Sequence, residues 1–298
     1  MVGWKFFRGF WRLIRPYWWG KTFFFITFGA AMAVGGLPDI GLLLLGTLII
    51  APLLYGALYT LNDFSDIKVD RLDSEKKNRA FASGMISPTQ GLILAFLLIL
   101  IALISGFFIN KIFFYILLLM LVNQIVYSFK PTRLKKVAFF DVFSAVFVSS
   151  GSKFLAGWFL FTNSFNIPWL PLIGILAVQS GGFLLYKLRY NKTIDMKLGN
   201  KTTVAVLPER LIKILAKTFF VIGFLSFVFL PLNSVMFEGL NFLGVLPLKF
   251  LWLIILGLVL GVFYWRLFKK KKGVFKVQTQ LYLSYFILAI LFLITYYF

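Results

Sequence analysis

Tyr59-Thr60-Leu61-Asn62-Asp63-Phe64-Ser65-Asp66-Ile67-Lys68-Val69-Asp70-Arg71 follows without a break on an apolar run that begins near position 40. A helix that crosses a membrane and continues past its edge presents Asn62, Asp66 and Asp70 at i, i+4 and i+8 on one face, with Asp63 on the flank. Carboxylates stacked a turn apart repel one another by about 0.2–0.5 kcal/mol per pair, so this face calls for a cation. A hard divalent ion such as Mg²⁺ suits an all-oxygen donor set completed by water and phosphate oxygens. The plainer alternative is a solvated helix end whose acids pair with Lys68 and Arg71. Against it stands the continuation Lys76-Lys77-Asn78-Arg79-Ala80-Phe81-Ala82-Ser83-Gly84. It sets fixed positive charge just after the acids, where a diphosphate chelating the metal leaves its remaining charge, and Arg79 can hold phosphate oxygens bidentately.

Outward from this stretch, composition fixes the solvent. The 298 residues are 60% hydrophobic, 19% aromatic and 14% charged, against roughly 45–50% apolar and about 25% charged in soluble domains. Apolar runs of about twenty residues match a hydrocarbon core of roughly 30 Å at 1.5 Å per helical residue. Nine spans are expected, at 21–36, 40–61, 91–109, 112–128, 137–161, 168–188, 211–230, 247–267 and 277–298. A removable signal peptide is not expected, because no small-residue cleavage site follows the first run. With no cysteine and no histidine in the chain, any catalysis rests on carboxylates, tyrosine, lysine or a metal.

The net charge of +21 raises the question of nucleic acid, and the distribution of the charge answers it. Of 31 Lys and Arg, 28 fall on one side of the nine-span layout: in the N-terminal segment, in the inner connections, and in the run Lys269 to Lys272. That one-sidedness is a topology signal, reinforced by attraction to anionic lipid headgroups, and it excludes a nucleic-acid partner. It places the N-terminus and the long polar connections in the cytoplasm, with the chain integral to the cell membrane.

Two inner connections are long and polar, Asn62 to Gln90 and Tyr190 to Arg210, each after an even-numbered span and four spans apart. The spacing predicts an all-α membrane protein forming a single domain over 1–298, with two four-helix halves and a ninth helix. Of only ten acids, five (Asp63, Asp66, Asp70, Asp73 and Glu75) crowd the first connection. In the second, Asn191 and Asp195 again stand one turn apart. Two oxygen-rich faces at one depth can clamp a diphosphate between Mg²⁺ ions and screen its charge as the ester bond ionises.

With these residues in view, the chain resembles the UbiA superfamily of intramembrane prenyltransferases over essentially its whole length. Asn62-Asp63-x-x-Asp66-x-x-x-Asp70 matches that family's first motif at every defined position. Asn78-Arg79 through Ser83-Gly84 is similar to the segment that commonly follows, with Ala80 where proline is usual. Tyr127-Ser128-Phe129-Lys130 and Arg15-Pro16 are weaker points of similarity. The second motif reads Asn191-x-x-x-Asp195-x-x-x-Gly199 followed by Lys201-Thr202, with an amide where the family has a carboxylate. The resemblance implies a helical fold related to soluble isoprenyl diphosphate synthases, with a cavity open sideways to lipid. It implies transfer of a prenyl chain from an isoprenyl diphosphate to an aromatic or lipid acceptor, with Mg²⁺ as cofactor.

The residues expected to carry that chemistry are Asp63, Asp66, Asp70, Asp195 and Tyr127 as catalytic groups, with Asn62, Asp66, Asp70, Asn191 and Asp195 holding metal. Arg79, Lys130, Lys153, Lys201 and Asn123 are expected to bind substrate. Asn123, Tyr127 and Lys130 recur at i, i+4 and i+7, and interhelical packing is an equal reading for the first two. Lys153 falls inside a span, where an ionisable group is costly and functional by default; it is a candidate for an acceptor's acidic group. Asp141 is expected to cap its helix. Two other readings stand beside prenyl transfer. One is phosphoribosyl transfer to a polyprenyl phosphate, to which the stretch from Asp141 to Gly157 bears a faint likeness. The other is a membrane transporter, disfavoured because the acids sit at a membrane edge and no span is visibly broken by Gly or Pro.

Overall fold

The computed structural model of the chain describes residues 2–73, 76–236, 242–269 and 273–298. Glu75 of the acidic cluster and Lys270, Lys271 and Lys272 of the basic run lie outside the described residues. Every long apolar run is helical, as hydrocarbon demands of a backbone that finds no water there. The helices are α1 (Val2–Ile14), α2 (Trp19–Val34), α3 (Ile40–Asp70), α4 (Pro88–Ile109), α5 (Lys111–Ser128), α6 (Phe140–Phe161) and α7 (Trp169–Tyr190). Short helices α8 (Lys192–Lys197) and α9 (Thr203–Val206) follow, then α10 (Glu209–Met236), α11 (Leu251–Lys269) and α12 (Val274–Tyr297).

Among the described residues, eight helices are long and apolar enough to cross a membrane. The remaining expected span is α2, which at 16 residues falls short of the usual length of about twenty. Local chemistry sets the ends. Asp39 caps α3 by accepting from the Leu42 N–H at 2.7 Å. Ser87 and Gln90 form a reciprocal capping box at α4, with Pro88 in its first turn. Asn110 accepts from the Ile112 and Phe113 amides at the start of α5.

Two helices depart from regular geometry. In α3 the turns over Ile49–Tyr55 widen to a π-helical pattern around Pro52, whose ring and missing N–H cannot fit the ordinary ladder. The helix stays continuous from Ile40 to Asp70, as an unbroken span requires, with its turns locally widened. In α6 the same pattern covers Phe143–Val148.

The spanning helices divide into α2–α5, then α6, α7, α10 and α11, with α12 as the ninth. Around a central cavity, α2, α12, α11, α10, α7 and α6 follow one another in contact, α3 and α5 close the remaining side, and α4 packs outside them. Two glycines let α2 and α6 touch backbone to backbone. A Cβ at Gly157 would lie 2.1 Å from the Ile26 carbonyl oxygen, and one at Gly29 the same distance from that of Phe154, the close approach that small residues permit between membrane helices. Apolar side chains such as Phe96 and Ile255 point outward, as a lipid solvent allows.

Candidate active site

Because α3 stays helical to Asp70, Asn62, Asp66 and Asp70 share a face, and that face lines the central cavity of about 1080 Å³. Asp63, one residue on, turns away from it. Its side chain is 2% exposed and is held by Arg15 and by Arg79, the latter at 2.9 Å. Asp63 does not line the cavity, so its expected catalytic place is corrected to that of an anchor. Arg79 Nη1 lies 2.9 Å from both Asp63 Oδ1 and Asp70 Oδ2. Burial works against the Arg79 charge, but Asp63 and Asp70 outweigh it and hold the guanidinium above its ordinary pKa. The loop that carries Arg79 is seated by Ala80, Phe81 and Ile86, which pack with Leu13 of α1.

Asp66 faces two cations that sequence reading had counted only towards topology. Arg133 Nη2 is 3.1 Å and Lys135 Nζ 2.8 Å from its Oδ1. Lys135 also donates to Asn62 Oδ1 at 3.2 Å and to Ser65 Oγ at 2.9 Å. Burial lowers the Lys135 pKa, and Asp66 offsets part of that. Lys130 is exposed and lies off the cavity. The connection after α5 turns there and brings Arg133 and Lys135, rather than Lys130, to the cavity wall; the basic run Arg133-x-Lys135-Lys136 is the signal for them in the sequence. Tyr127 lines the cavity within electrostatic reach of both Asp66 and Asp195. Asn123 lines it too, but its amide is spent on α6: Ser144 Oγ donates to its Oδ1 at 2.7 Å, and its Nδ2 donates to the Ser144 carbonyl at 3.2 Å.

Across the cavity stand Asn191 and Asp195, at the end of α7 and on α8. Asp195 accepts from Asn200 Nδ2 at 3.1 Å and from Thr202 Oγ1 at 2.9 Å, with Lys187 Nζ 3.8 Å away. Lys201 is exposed, pairs its backbone with Val137, and does not line the cavity. Its neighbour Thr202 is the residue that turns inward to Asp195, which corrects the binding role expected of Lys201. Asp141 is also reassigned. It is fully buried and accepts from the Thr203 amide and hydroxyl, with Lys187 Nζ 3.8 Å away. It therefore fastens the second polar connection to α6 as well as accepting from its own neighbour's amide at Val142. Lys136 also lines the cavity.

Among the described residues no three acidic side chains converge closely enough to cage a metal by themselves. The donors facing the cavity are the carboxylates of Asp66, Asp70 and Asp195 and the amides of Asn62 and Asn191. An all-oxygen set divided between two faces fits a hard cation whose shell is completed by ligand oxygens, as Mg²⁺ with phosphates prefers. Below this polar mouth the walls become aromatic and aliphatic, with Tyr55, Tyr59, Phe224, Phe227, Leu258 and Phe292 among them. Arg15 is sandwiched at the transition, its guanidinium carbon 4.4 Å from the Trp18 ring centre and 4.8 Å from that of Tyr59.

Solved structures share this architecture. A UbiA homolog from Archaeoglobus fulgidus bound to DMAPP and Mg²⁺ superposes with a TM-score of 0.70 at 19% identity, covering 97% of this chain and 97% of that one. A digeranylgeranylglyceryl phosphate synthase gives a TM-score of 0.66 at 19% identity, covering 98% of each chain. The apo structure of a UbiA homolog from Aeropyrum pernix K1 gives 0.65 at 15% identity, covering 91% of this chain and 97% of that one. No curated protein matches by sequence. At such identities the likeness speaks for the fold alone, whereas the UbiA prenyltransferase family model matches residues 22–285. With that match across most of its length, this integral membrane chain belongs to the UbiA prenyltransferase family.

Proposed function

We propose that the chain transfers a polyprenyl group from an isoprenyl diphosphate to an aromatic or lipid acceptor inside the membrane, in an Mg²⁺-dependent reaction at the cytoplasmic end of the cavity. The observation that carries this reading is that Asp66 and Asp70, on one helix end, and Asp195, on another, line one cavity that turns apolar with depth. The relative from Archaeoglobus fulgidus, solved with DMAPP and Mg²⁺ and also with GPP and Mg²⁺, supports the choice of ligands.

In this mechanism Asp66, Asp70 and Asp195, with the side-chain carbonyls of Asn62 and Asn191, are the groups that would hold Mg²⁺, which would supply positive charge to screen the departing diphosphate. Arg133, Lys135, Lys136 and Lys187 line the mouth and meet the phosphate oxygens; Arg133, Lys135 and Lys187 exchange their present carboxylates for them, and among the described residues Lys136 has no carboxylate to leave. Arg79, which also lines the cavity, is held by Asp63, keeps Asp70 in place and offers its guanidinium to the diphosphate oxygens. The allylic C–O bond breaks, and the diphosphate leaves with the bonding pair. The acceptor's nucleophilic atom then bonds to the freed carbon and gives up its proton to the departed diphosphate. The ring of Tyr127 faces this space and stabilises the transient cation, as aromatic faces do. The apolar depth excludes water that would otherwise capture that cation.

Purified protein in lipid nanodiscs, offered geranylgeranyl diphosphate and a panel of phenolic and glycerol phosphate acceptors, tests the reading by mass spectrometry. A prenylated product formed with Mg²⁺ and abolished by EDTA is the expected result. Turnover that persists in EDTA removes the metal from the account.

A further inference from the structure

Among the cavity-lining cations that the donor site does not use are two lysines on packed helices, Lys21 and Lys153. Lys153, on α6, is 3% exposed. Its Nζ lies 3.7 Å from the Tyr55 ring centre and donates to the carbonyl and hydroxyl oxygens of Ser149 at 3.3 and 3.4 Å. Lys21, on α2, has its Nζ 5.7 Å from the Phe25 ring centre and 5.9 Å from that of Tyr282. Both line the cavity, and the rings they meet, Tyr55 and Tyr282, belong to one chain of aromatic contacts through Tyr59 and Trp18. Among the described residues neither ammonium lies within 4.0 Å of a carboxylate, whereas Arg79, Arg133, Lys135 and Lys187 at the mouth all do. Two ammonium groups that face one cavity inside a membrane with no counter-ion are costly to keep.

Lys153 also sits at a different level from the donor's headgroup. Tyr55 precedes Asp66 by 11 residues along α3, roughly 16 Å at 1.5 Å per residue. The site is built rather than incidental. The Tyr55 hydroxyl is fixed to Ser149, 3.1 Å from its carbonyl oxygen and 2.9 Å from its Oγ. The helices bearing the two lysines are locked backbone to backbone at Gly29 and Gly157.

We propose that Lys21 and Lys153 bind the acidic group of the acceptor, a carboxylate or a phosphate, and so restrict the reaction to anionic acceptors whose nucleophilic atom points up towards the donor. This rests on the prenyl-transfer reading. The anion supplies the missing counter-charge, and the two ammonium groups fix its depth, which sets the distance from acidic group to nucleophile in any acceptor the cavity admits.

Equilibrium binding to the full chain in nanodiscs tests it with four probes: 4-hydroxybenzoate, its neutral methyl ester, an alkyl ether of glycerol phosphate, and geranylgeranyl diphosphate with Mg²⁺. At least one acid is expected to bind wild-type protein, and for 4-hydroxybenzoate the ester is expected to bind about tenfold more weakly or worse. Lys21→Gln and Lys153→Gln are each expected to weaken the acid by about tenfold or more, the size of a lost charge-assisted hydrogen bond, with donor binding unchanged. Preference for the carboxylate assigns a small aromatic acid as acceptor, and preference for the phosphate assigns a lipid. The proposal is overturned if neither acid binds, if 4-hydroxybenzoate is the binding acid and its ester binds as well, if the variants bind the acid as wild type does, or if they lose the diphosphate instead. The wild-type measurements alone decide the first two outcomes should a variant not fold. Failure of wild-type protein to bind the diphosphate is read separately and strikes the prenyl-transfer reading itself.

Discussion

Asp63→Asn and Asp66→Asn change neighbouring acids of one motif, and the structure predicts opposite consequences. Asp63 is 2% exposed and meets two arginines, whose side chains are 5% and 17% exposed. Removing one partner of a buried ion pair costs about 3–5 kcal/mol, because the remaining charge stays buried. An amide oxygen at position 63 still accepts one hydrogen bond, so the lower end, about 3 kcal/mol, applies. For a chain of this size that is a fall in Tm of about 6–12 °C, measured by tryptophan fluorescence in detergent without ligand or metal. Asp66 and Arg133 are each 21% exposed and Lys135 is 10% exposed, so these pairs are partly screened. Asp66→Asn therefore costs less than Asp63→Asn, about 1–2 kcal/mol, while Mg²⁺-dependent affinity for geranylgeranyl diphosphate falls by more than about tenfold, as loss of a charged metal ligand requires. Normal thermal stability in Asp63→Asn together with lost metal dependence would refute this division of labour and make Asp63 a ligand.

Three further outcomes are expected. Gly157→Ala drives a Cβ to 2.1 Å from the Ile26 carbonyl oxygen, so it destabilises by about 1–3 kcal/mol, while Gly36→Ala, with open space around it, leaves Tm unchanged. Lys135→Gln and Arg133→Gln raise the KM for the diphosphate about tenfold or more in steady-state kinetics, since each removes a charge-assisted contact, whereas Lys130→Gln and Lys201→Gln, both exposed, stay within about twofold. Thr203→Val strips the buried Asp141 carboxylate of a hydroxyl donor and costs about 1–3 kcal/mol, read as a lower Tm.

Spacing within one helix was legible, and contacts between elements were not. The i, i+4, i+8 pattern of Asn62, Asp66 and Asp70 carried directly into a cavity-lining face because helical periodicity fixes it. Asp63 sits one step, about 100°, around the same helix, and what it meets is Arg15, 48 positions earlier, a partner that periodicity cannot supply. Arg133 and Lys135 were hidden among basic residues that the positive-inside rule already accounted for. Asp141 looked like a cap because it stands at the start of an apolar run, yet Thr203, 62 positions away, holds it. The short α2 is preceded without a gap by the one-turn helix Pro16–Trp18, so the helical stretch is longer than α2 alone. The widened turns of α3 were foreshadowed by Pro52, the only proline within that apolar run.

The central claim is that the two polar helix ends jointly hold a metal against a diphosphate. Anomalous diffraction from crystals of the full chain grown with Mn²⁺ and geranylgeranyl diphosphate tests it most directly. The account predicts metal density within coordination distance, about 2.5 Å or less, of oxygens from both Asp66 and Asp195, with the diphosphate between them. Metal bound at one end alone, or a diphosphate held away from both carboxylates, contradicts it.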